Sequence, residues 1–280
     1  MVCFAGLDSS AKYLGRVLPT AEVVWARYVV AAVFALVASR ALVKPSVLIS
    51  KRPYLQSLRS LLLLGSTVAN FLALRSLQLA ETSTIAFLLP MFISLLAGPL
   101  LGERVGGPRL AAILVGFFGV VVAMRPGTAA FQPVALVAVA GVVCGAGYNI
   151  STRLLAGADS AATTFVWTQI AGVALLTPAL PFVWVTPPSP WVWGVMAFMG
   201  VCAAAGHGLL IVAHHRAPAA TLAPFNYTQL IWMILSGWFV FADVPPWATL
   251  FGAALVAGCG LFLILYERRG YPAKALGRKL

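Results

Sequence analysis

Thr82-Ser-Thr-Ile-Ala-Phe-Leu-Leu-Pro-Met-Phe-Ile-Ser-Leu-Leu-Ala-Gly-Pro-Leu-Leu-Gly-Glu-Arg-Val105 is the stretch whose reading decides the fold. About twenty residues pass without a charge, roughly 30 Å as a helix, which matches the hydrocarbon core of a bilayer. Thr82, Ser83 and Thr84 stand at its start as an N-cap cluster, and Gly102-Glu103-Arg104 ends it. Pro90 lies well inside. It has no N–H for the carbonyl four residues back, so it bends the helix. In lipid the freed carbonyl needs a partner on a neighbouring helix or in a polar cavity. A bent span of this kind points to a transport path.

The rest of the chain has the same character. Of 280 residues, 61% are hydrophobic and 9% charged, which excludes a soluble domain. Ten spans are expected: 2–18, 21–43, 58–79, 82–105, 108–124, 133–155, 161–185, 191–213, 221–242 and 247–266. The fold class is an all-α integral membrane protein. The net charge of +12 does not imply a nucleic-acid partner, because the basic residues sit between spans rather than on one folded face. They mark topology instead. With the N-terminus inside, fourteen Lys and Arg fall on the cytoplasmic side and four (Lys12, Arg16, Arg75, Arg125) on the other, with Arg27 within a helix. The expectation is a multi-pass protein of the inner (plasma) membrane with both termini cytoplasmic. Asp8 and Lys12 interrupt the first apolar run, so a cleavable signal peptide is not expected. Cys3, Cys144, Cys202 and Cys259 are widely spaced, form no metal pattern and read as packing residues.

A shift of 140 or 141 residues lays spans one to five on spans six to ten. Cys3 meets Cys144 and Lys12 meets Arg153 at the larger shift; Thr67 meets His207, Phe87 meets Tyr227 and Glu103 meets Asp243 at the smaller. Five spans per half is odd, so the halves must be inverted, a recurring plan of secondary transporters with the site near the midplane. The expected units are 1–127, the first repeat; 128–267, the second; and 268–280, a basic cytoplasmic tail. Span one has fewer apolar residues before Asp8 than span six has before Tyr148, so helix one is short at its start.

The chain divides into two five-span halves, and Asp8-Ser-Ser-Ala-Lys12-Tyr-Leu14, Trp25-Ala-Arg27-Tyr28, Pro90 through Gly102-Glu103-Arg104, and Arg125-Pro126-Gly127 follow in order along the first. In this the chain resembles the drug/metabolite transporter superfamily, in its EamA-type ten-helix branch. Leu230 and Asp243 depart from the family's proline and glutamate in the second half. The resemblance implies a carrier of small solutes, commonly an exporter of amino acids or other metabolites, with aromatic amino acid and drug exporters the nearest specific likeness.

Polar groups inside hydrocarbon are costly and mark function or pairing. Asp8 and Lys12 share a helix face at i, i+4, as a gate or coupling pair or as a structural pair that neutralises itself. Arg27 and Glu22 sit toward the outer end of helix two, paired or snorkelling, with Arg27 as an anion contact the other reading. Thr67 and Asn70 share a face of helix three. His207, between Gly206 and Gly208, lines a cavity or is a satisfied structural histidine, with proton carriage a third reading. Phe87, Tyr148, Asn149, Thr152, Asn226, Tyr227, Gln229 and Trp232 complete the expected cavity. Aromatic rings there suit stacking and cation–π contact, against interfacial anchoring as the plain alternative. Pro90 supplies shape or a moving gate, while recognition lies more in helix nine. His214, His215 and Arg216 read as boundary residues.

The expected partners are a small-molecule solute and the lipid bilayer, with no nucleic acid. No phosphate-binding loop Gly-x-x-x-x-Gly-Lys-Ser/Thr occurs, so no nucleotide is expected as cofactor, nor any metal. An intramembrane enzyme would need clustered catalytic groups, and a channel a continuous polar stripe; both remain alternatives to the carrier. Gly116, Gly119, Gly252 and Gly258 suit internal packing or a dimer contact, leaving monomer and homodimer open.

Overall fold

The computed structural model describes residues 1–41, 43–101, 107–128, 130–155, 158–216 and 219–270, and no strand occurs among them. The side chains at 94, 97–101, 109, 211–212, 214–216, 219–227, 264 and 267–270 fall outside that description. The helices are α1 (Val2–Leu14), α2 (Thr20–Ala38), α3 (Pro53–Leu74), α4 (Leu79–Ala86), α5 (Leu89–Leu101), α6 (Gly107–Met124), α7 (Val134–Leu155), α8 (Ala161–Leu176), α9 (Leu180–Val183), α10 (Pro190–Arg216), α11 (Ala219–Phe241) and α12 (Trp247–Gly270), with 3-10 turns at Pro45–Leu48 and Thr177–Ala179. Five stretches are long and apolar enough to cross a membrane: Thr20–Ala38, Pro53–Leu74, Val134–Leu155, Ala161–Val183 and Pro190–Leu210. Shorter apolar helical stretches occupy Leu79–Ile93, Leu110–Met124, Thr228–Phe241 and Trp247–Leu263.

The stretch expected as one bent helix from Thr82 is two helices. Its start lies earlier, at Gln78, where the Gln78 N–H donates to Glu81 Oε2 at 2.9 Å in a capping box. Thr82 and Thr84 are therefore interior, and their hydroxyls donate to the carbonyls of Leu79 and Ala80. The chain breaks at Phe87–Leu88, and Pro90 falls in the first turn of α5, where its missing N–H costs nothing. Its effect is felt upstream, because the Ala86 carbonyl receives no bond from position 90. The seventh expected span likewise changes at the 3-10 turn Thr177–Ala179, which holds Pro178 between α8 and α9, and Pro181 stands in the first turn of α9. Helix one ends at Leu14, and at 13 residues is shorter than the 22-residue α7. The Gly102-Glu103-Arg104 end and the tail beyond residue 270 lie outside the described residues.

The helices pack with α1 on α10 and α11, α3 on α7 and α8, α2 on α8 and α10, α4 on α7 and α11, α5 on α7, and α6 on α12. One apolar core gathers Leu14, Val24, Tyr28, Leu74 and Met199, and another Ile85, Leu88, Met91, Ile113 and Val256. At the α6–α12 crossing the backbones touch at Gly119 and Gly252: a methyl on either would strike the other's carbonyl oxygen. Gly116 is filled by Met91, whereas Gly258 has nothing within 4 Å. Outward faces are apolar (Val33, Leu114, Phe118, Phe239, Phe251) while Glu22, Arg27, Arg59 and Gln56 are buried. That inversion of the soluble pattern suits lipid surroundings.

Candidate functional site

A cavity of about 250 Å³ lies among α1, α2, α3, the α4–α5 break, α7, α10 and α11. Six expected residues meet there: Asp8, Arg27, Thr67, Asn70, His207 and Gln229. Helical spacing explains α3's share, since Thr67 and Asn70 at i, i+3 present one face to the space. Asn70 Nδ2 donates to Asp8 Oδ1 at 3.0 Å. Thr67 donates to the Leu63 carbonyl at 2.9 Å, which leaves its oxygen to accept from Tyr28 Oη at 3.2 Å.

Arg27 is 2% exposed. It does not reach the outer surface or Glu22. Glu22 is itself buried, and its Oε2 accepts from the Val185 N–H at 3.1 Å. Arg27 Nη2 lies 3.1 Å from His207 Nε2. A guanidinium only donates, so Nε2 accepts and this geometry holds a neutral imidazole. The guanidinium carbon stands 4.3 Å from the Tyr28 ring centroid, and Phe4 packs edge-on to the imidazole at 5.2 Å. Among the described residues Arg27 Nε and Nη1 have no hydrogen-bond partner, and neither has Ser83 Oγ, whose residue also lines the cavity.

Asp8 and Lys12 do not pair. Lys12 Nζ turns to Asp243 Oδ2 at 2.8 Å and the Leu77 carbonyl at 2.9 Å, lying 5.3 Å from the Phe241 ring centroid. Packing decides this: α1 carries Asp8 to α3, and carries Lys12, one turn on, to the α11–α12 connection. Tyr148 and Thr152 are taken by Arg59, which is fully buried. Arg59 donates from Nε to Thr152 Oγ1 at 2.7 Å, from Nη2 to Tyr148 Oη at 2.8 Å, and from Nη1 to Thr168 Oγ1 at 2.9 Å. Below it Gln56 Nε2 donates to Asp159 Oδ2 at 2.9 Å. Ser50 and the Lys51 N–H also donate to Asp159. Burial alone would raise the Asp159 carboxyl, but these donors outweigh it and hold the group below the usual carboxylate range. This cluster ties α3, α7 and α8 together.

The other expected residues lie elsewhere. Asn149 is exposed and bonds the Gly145 carbonyl, and Phe87 is buried in the second core. Trp232 borders a separate, largely apolar groove with Phe4, Gly206 and Thr228. Gly206 packs against Phe4, while Gly208 has room around it. Pro90 shapes the break that puts Ile85, Ala86 and Leu89 on the cavity wall. Asn226 and Tyr227, with His214, His215 and Arg216, are outside the described side chains. Two contributions went unread in the sequence. Thr82 and Ser83 line the cavity rather than cap a helix; Gln78 and Glu81, three apart, carried that signal. Arg59 reads as one more basic residue near a span end, and nothing local discloses its hydroxyl partners.

A helical bundle with apolar outward faces, and a largely apolar cavity that holds Asp8, Arg27 and His207 among helices from both ends of the sequence, is the build of a multi-pass membrane transporter. The chain belongs to the EamA-like transporter family, whose model matches residues 1–125 and again 132–266. It is 26% identical to an S-adenosylmethionine uptake transporter of Rickettsia conorii, over all of this chain and 92% of that one. It is 30% identical to a riboflavin transporter of Vibrio cholerae, over 64% of this chain and 60% of the other. With the pseudopaline exporter CntI of Pseudomonas aeruginosa it shares 25% identity over 90% and 89% of the two chains. A solved crystal structure superposes with a TM-score of 0.66 at 21% identity, over 97% of this chain and 98% of its own, a likeness of fold.

Proposed function

We propose that the chain is a secondary active carrier that moves small amphipathic metabolites, amino acids or drug-like solutes among them, across the inner membrane by alternating access. The observation that carries this is the cavity itself, lined by residues of α1 to α5 from one half of the chain and of α7, α10 and α11 from the other. The packing supports ten spans in two inverted halves, with α4–α5 and α8–α9 each counted as one span. Exchanging span one with six, two with seven, and so on, turns the α1–α10 contact into α7–α3 and α2–α10 into α8–α3. The same exchange turns α1–α11 into the contacts of α7 with α4 and α5, and leaves α2–α8, α4–α11 and α6–α12 on themselves. Two halves related in this way can rock about a shared site. The distribution of basic residues supports both termini in the cytoplasm.

Export is the first reading. Uptake of a metabolite or vitamin is the second, favoured by the S-adenosylmethionine uptake relative that matches over the whole chain. Purified protein in liposomes, loaded with labelled amino acids, S-adenosylmethionine or riboflavin, tests both. Saturable counterflow is expected, with net direction read after imposing a pH gradient. Gln229→Ala is expected to raise the half-saturation concentration. Absence of saturable flux across the whole panel refutes the carrier, and flux that never saturates favours a channel.

A further inference from the structure

We infer that the cavity recognises an α-amino-acid head group, its carboxylate on the free edge of Arg27 and its ammonium on Asp8. This rests on the carrier reading and names the chemistry of the same site. Arg27 and Asp8 line one cavity and feel each other's charge across it, yet among the described residues neither makes an ion pair within 4.0 Å. Among the described residues no carboxylate oxygen lies within 4.0 Å of Arg27, and Lys12, the cation nearest Asp8 in sequence, is bound to Asp243. Each charge is held instead by neutral groups: Arg27 by His207 and the Tyr28 ring, Asp8 by Asn70. Burying a charge without an opposite one is costly.

The hydrogen-bond count at Arg27 sharpens this. His207 takes one of the two hydrogens on Nη2, and among the described residues Nε and Nη1 have no hydrogen-bond partner. Whichever hydrogen His207 takes, the other pairs with Nε–H or Nη1–H as a complete two-donor edge, the geometry that grips a carboxylate. Tyr28 beneath the plane and His207 at one corner keep that edge in place. A simple anion would match Arg27 alone, and a simple cation Asp8 alone. A zwitterion completes both. Phe4, Phe71, Ile85 and Leu89 offer apolar surface to the side chain, and the unpartnered Ser83 hydroxyl gives it a polar contact.

The test is competition for counterflow in proteoliposomes by matched sets: L-phenylalanine, phenethylamine and 3-phenylpropionate; L-leucine, isoamylamine and 4-methylvalerate; S-adenosylmethionine and its decarboxylated form. In wild type the amino acid is expected to compete at least about tenfold more tightly than its truncated forms. Arg27→Gln is expected to abolish the advantage over the amine while keeping that over the acid, and Asp8→Asn the reverse. Thermal shifts of the purified variants with the same compounds check that they are folded. If a variant is not folded, the wild-type ranking still decides. Amines or acids that compete as well as the amino acids overturn the inference. Saturable riboflavin flux that no member of the sets inhibits overturns it while sparing the carrier; no saturable flux of any solute overturns both.

Discussion

Asp243→Asn keeps the shape of the side chain that holds Lys12 and removes its charge. Lys12 Nζ lies 2.8 Å from Asp243 Oδ2, with the lysine side chain 7% exposed and the aspartate 23%. At an effective dielectric near 20, unit charges at that separation attract by about 6 kcal/mol, of which desolvation removes several. With the charge gone, a buried ammonium keeps the Leu77 carbonyl, a neutral amide and the Phe241 ring. The expected loss is about 2 kcal/mol, less than for a fully buried pair because water still reaches the aspartate. Lys12→Met fills the same space without charge and is expected to cost about 1 kcal/mol, because Asp243 can rehydrate. In the double variant the stranded ammonium is absent, so it is expected to recover about 1.5 kcal/mol relative to the sum of the singles. Equilibrium unfolding in mixed detergent and SDS measures all four forms, and thermal unfolding read by labelling of the four cysteines gives an independent ranking. A coupling below about 0.3 kcal/mol, within ordinary additivity, refutes the claim that this ion pair holds α1 to the α11–α12 connection.

Gly252→Ala drives a methyl into the Gly119 carbonyl and Ala123 and is expected to cost about 1–3 kcal/mol, whereas Gly258→Ala, facing open space, leaves the midpoint unchanged in the same thermal assay. Arg59→Lys retains charge but cannot span Thr152, Tyr148 and Thr168, and a loss of about 2–4 kcal/mol in SDS unfolding is expected. Asp159 is depressed in the folded state, so its contribution is present above the unfolded value of about 3.9 and is lost as pH falls through the lower folded value. Asp159→Asn is expected to lower the thermal midpoint at neutral pH and to flatten the fall below about pH 4. An acid limb that superposes on wild type would sink that assignment.

Element type and order were legible because lipid imposes them: long apolar runs between prolines, glycines and charges admit only helices. Boundaries were legible wherever a local rule sets them, as at Pro53, which opens α3, and Ser160, whose hydroxyl accepts the Thr163 N–H. They were misread where two local rules competed. Three hydroxyl residues at 82–84 outweighed the Gln78–Glu81 spacing, although the latter forms the cap and the former bond back within the helix. Arg27, read toward the outer end of helix two, is instead buried, but Asp8, Asn70 and His207, which interrupt apolar spans, were legible as interior. Their partners were not. The spacing of Asp8 and Lys12 suggests one pair, but the bonds they make are to residues 62 and 231 positions away. Tyr148 and Thr152 look like cavity wall until Arg59, from a helix 89 residues upstream, takes both.

The same reasoning separates shape from recognition at the opening stretch. Pro90 bends the path without supplying a chemical contact: its missing N–H leaves the Ala86 carbonyl without that intrahelical bond, and Ile85, Ala86 and Leu89 form cavity wall. A carbonyl and apolar side chains there can bound a solute, but they cannot tell a zwitterion from an amine of the same shape. Discrimination needs charge held at fixed points, and α1 and α2 supply it through Asp8 and Arg27, with α3 and α10 positioning them through Asn70 and His207. In α11 the described contribution to the cavity is Gln229, a neutral group. The helix break therefore sets the volume of the site, and on the proposed reading the charges on the first two helices set what fills it.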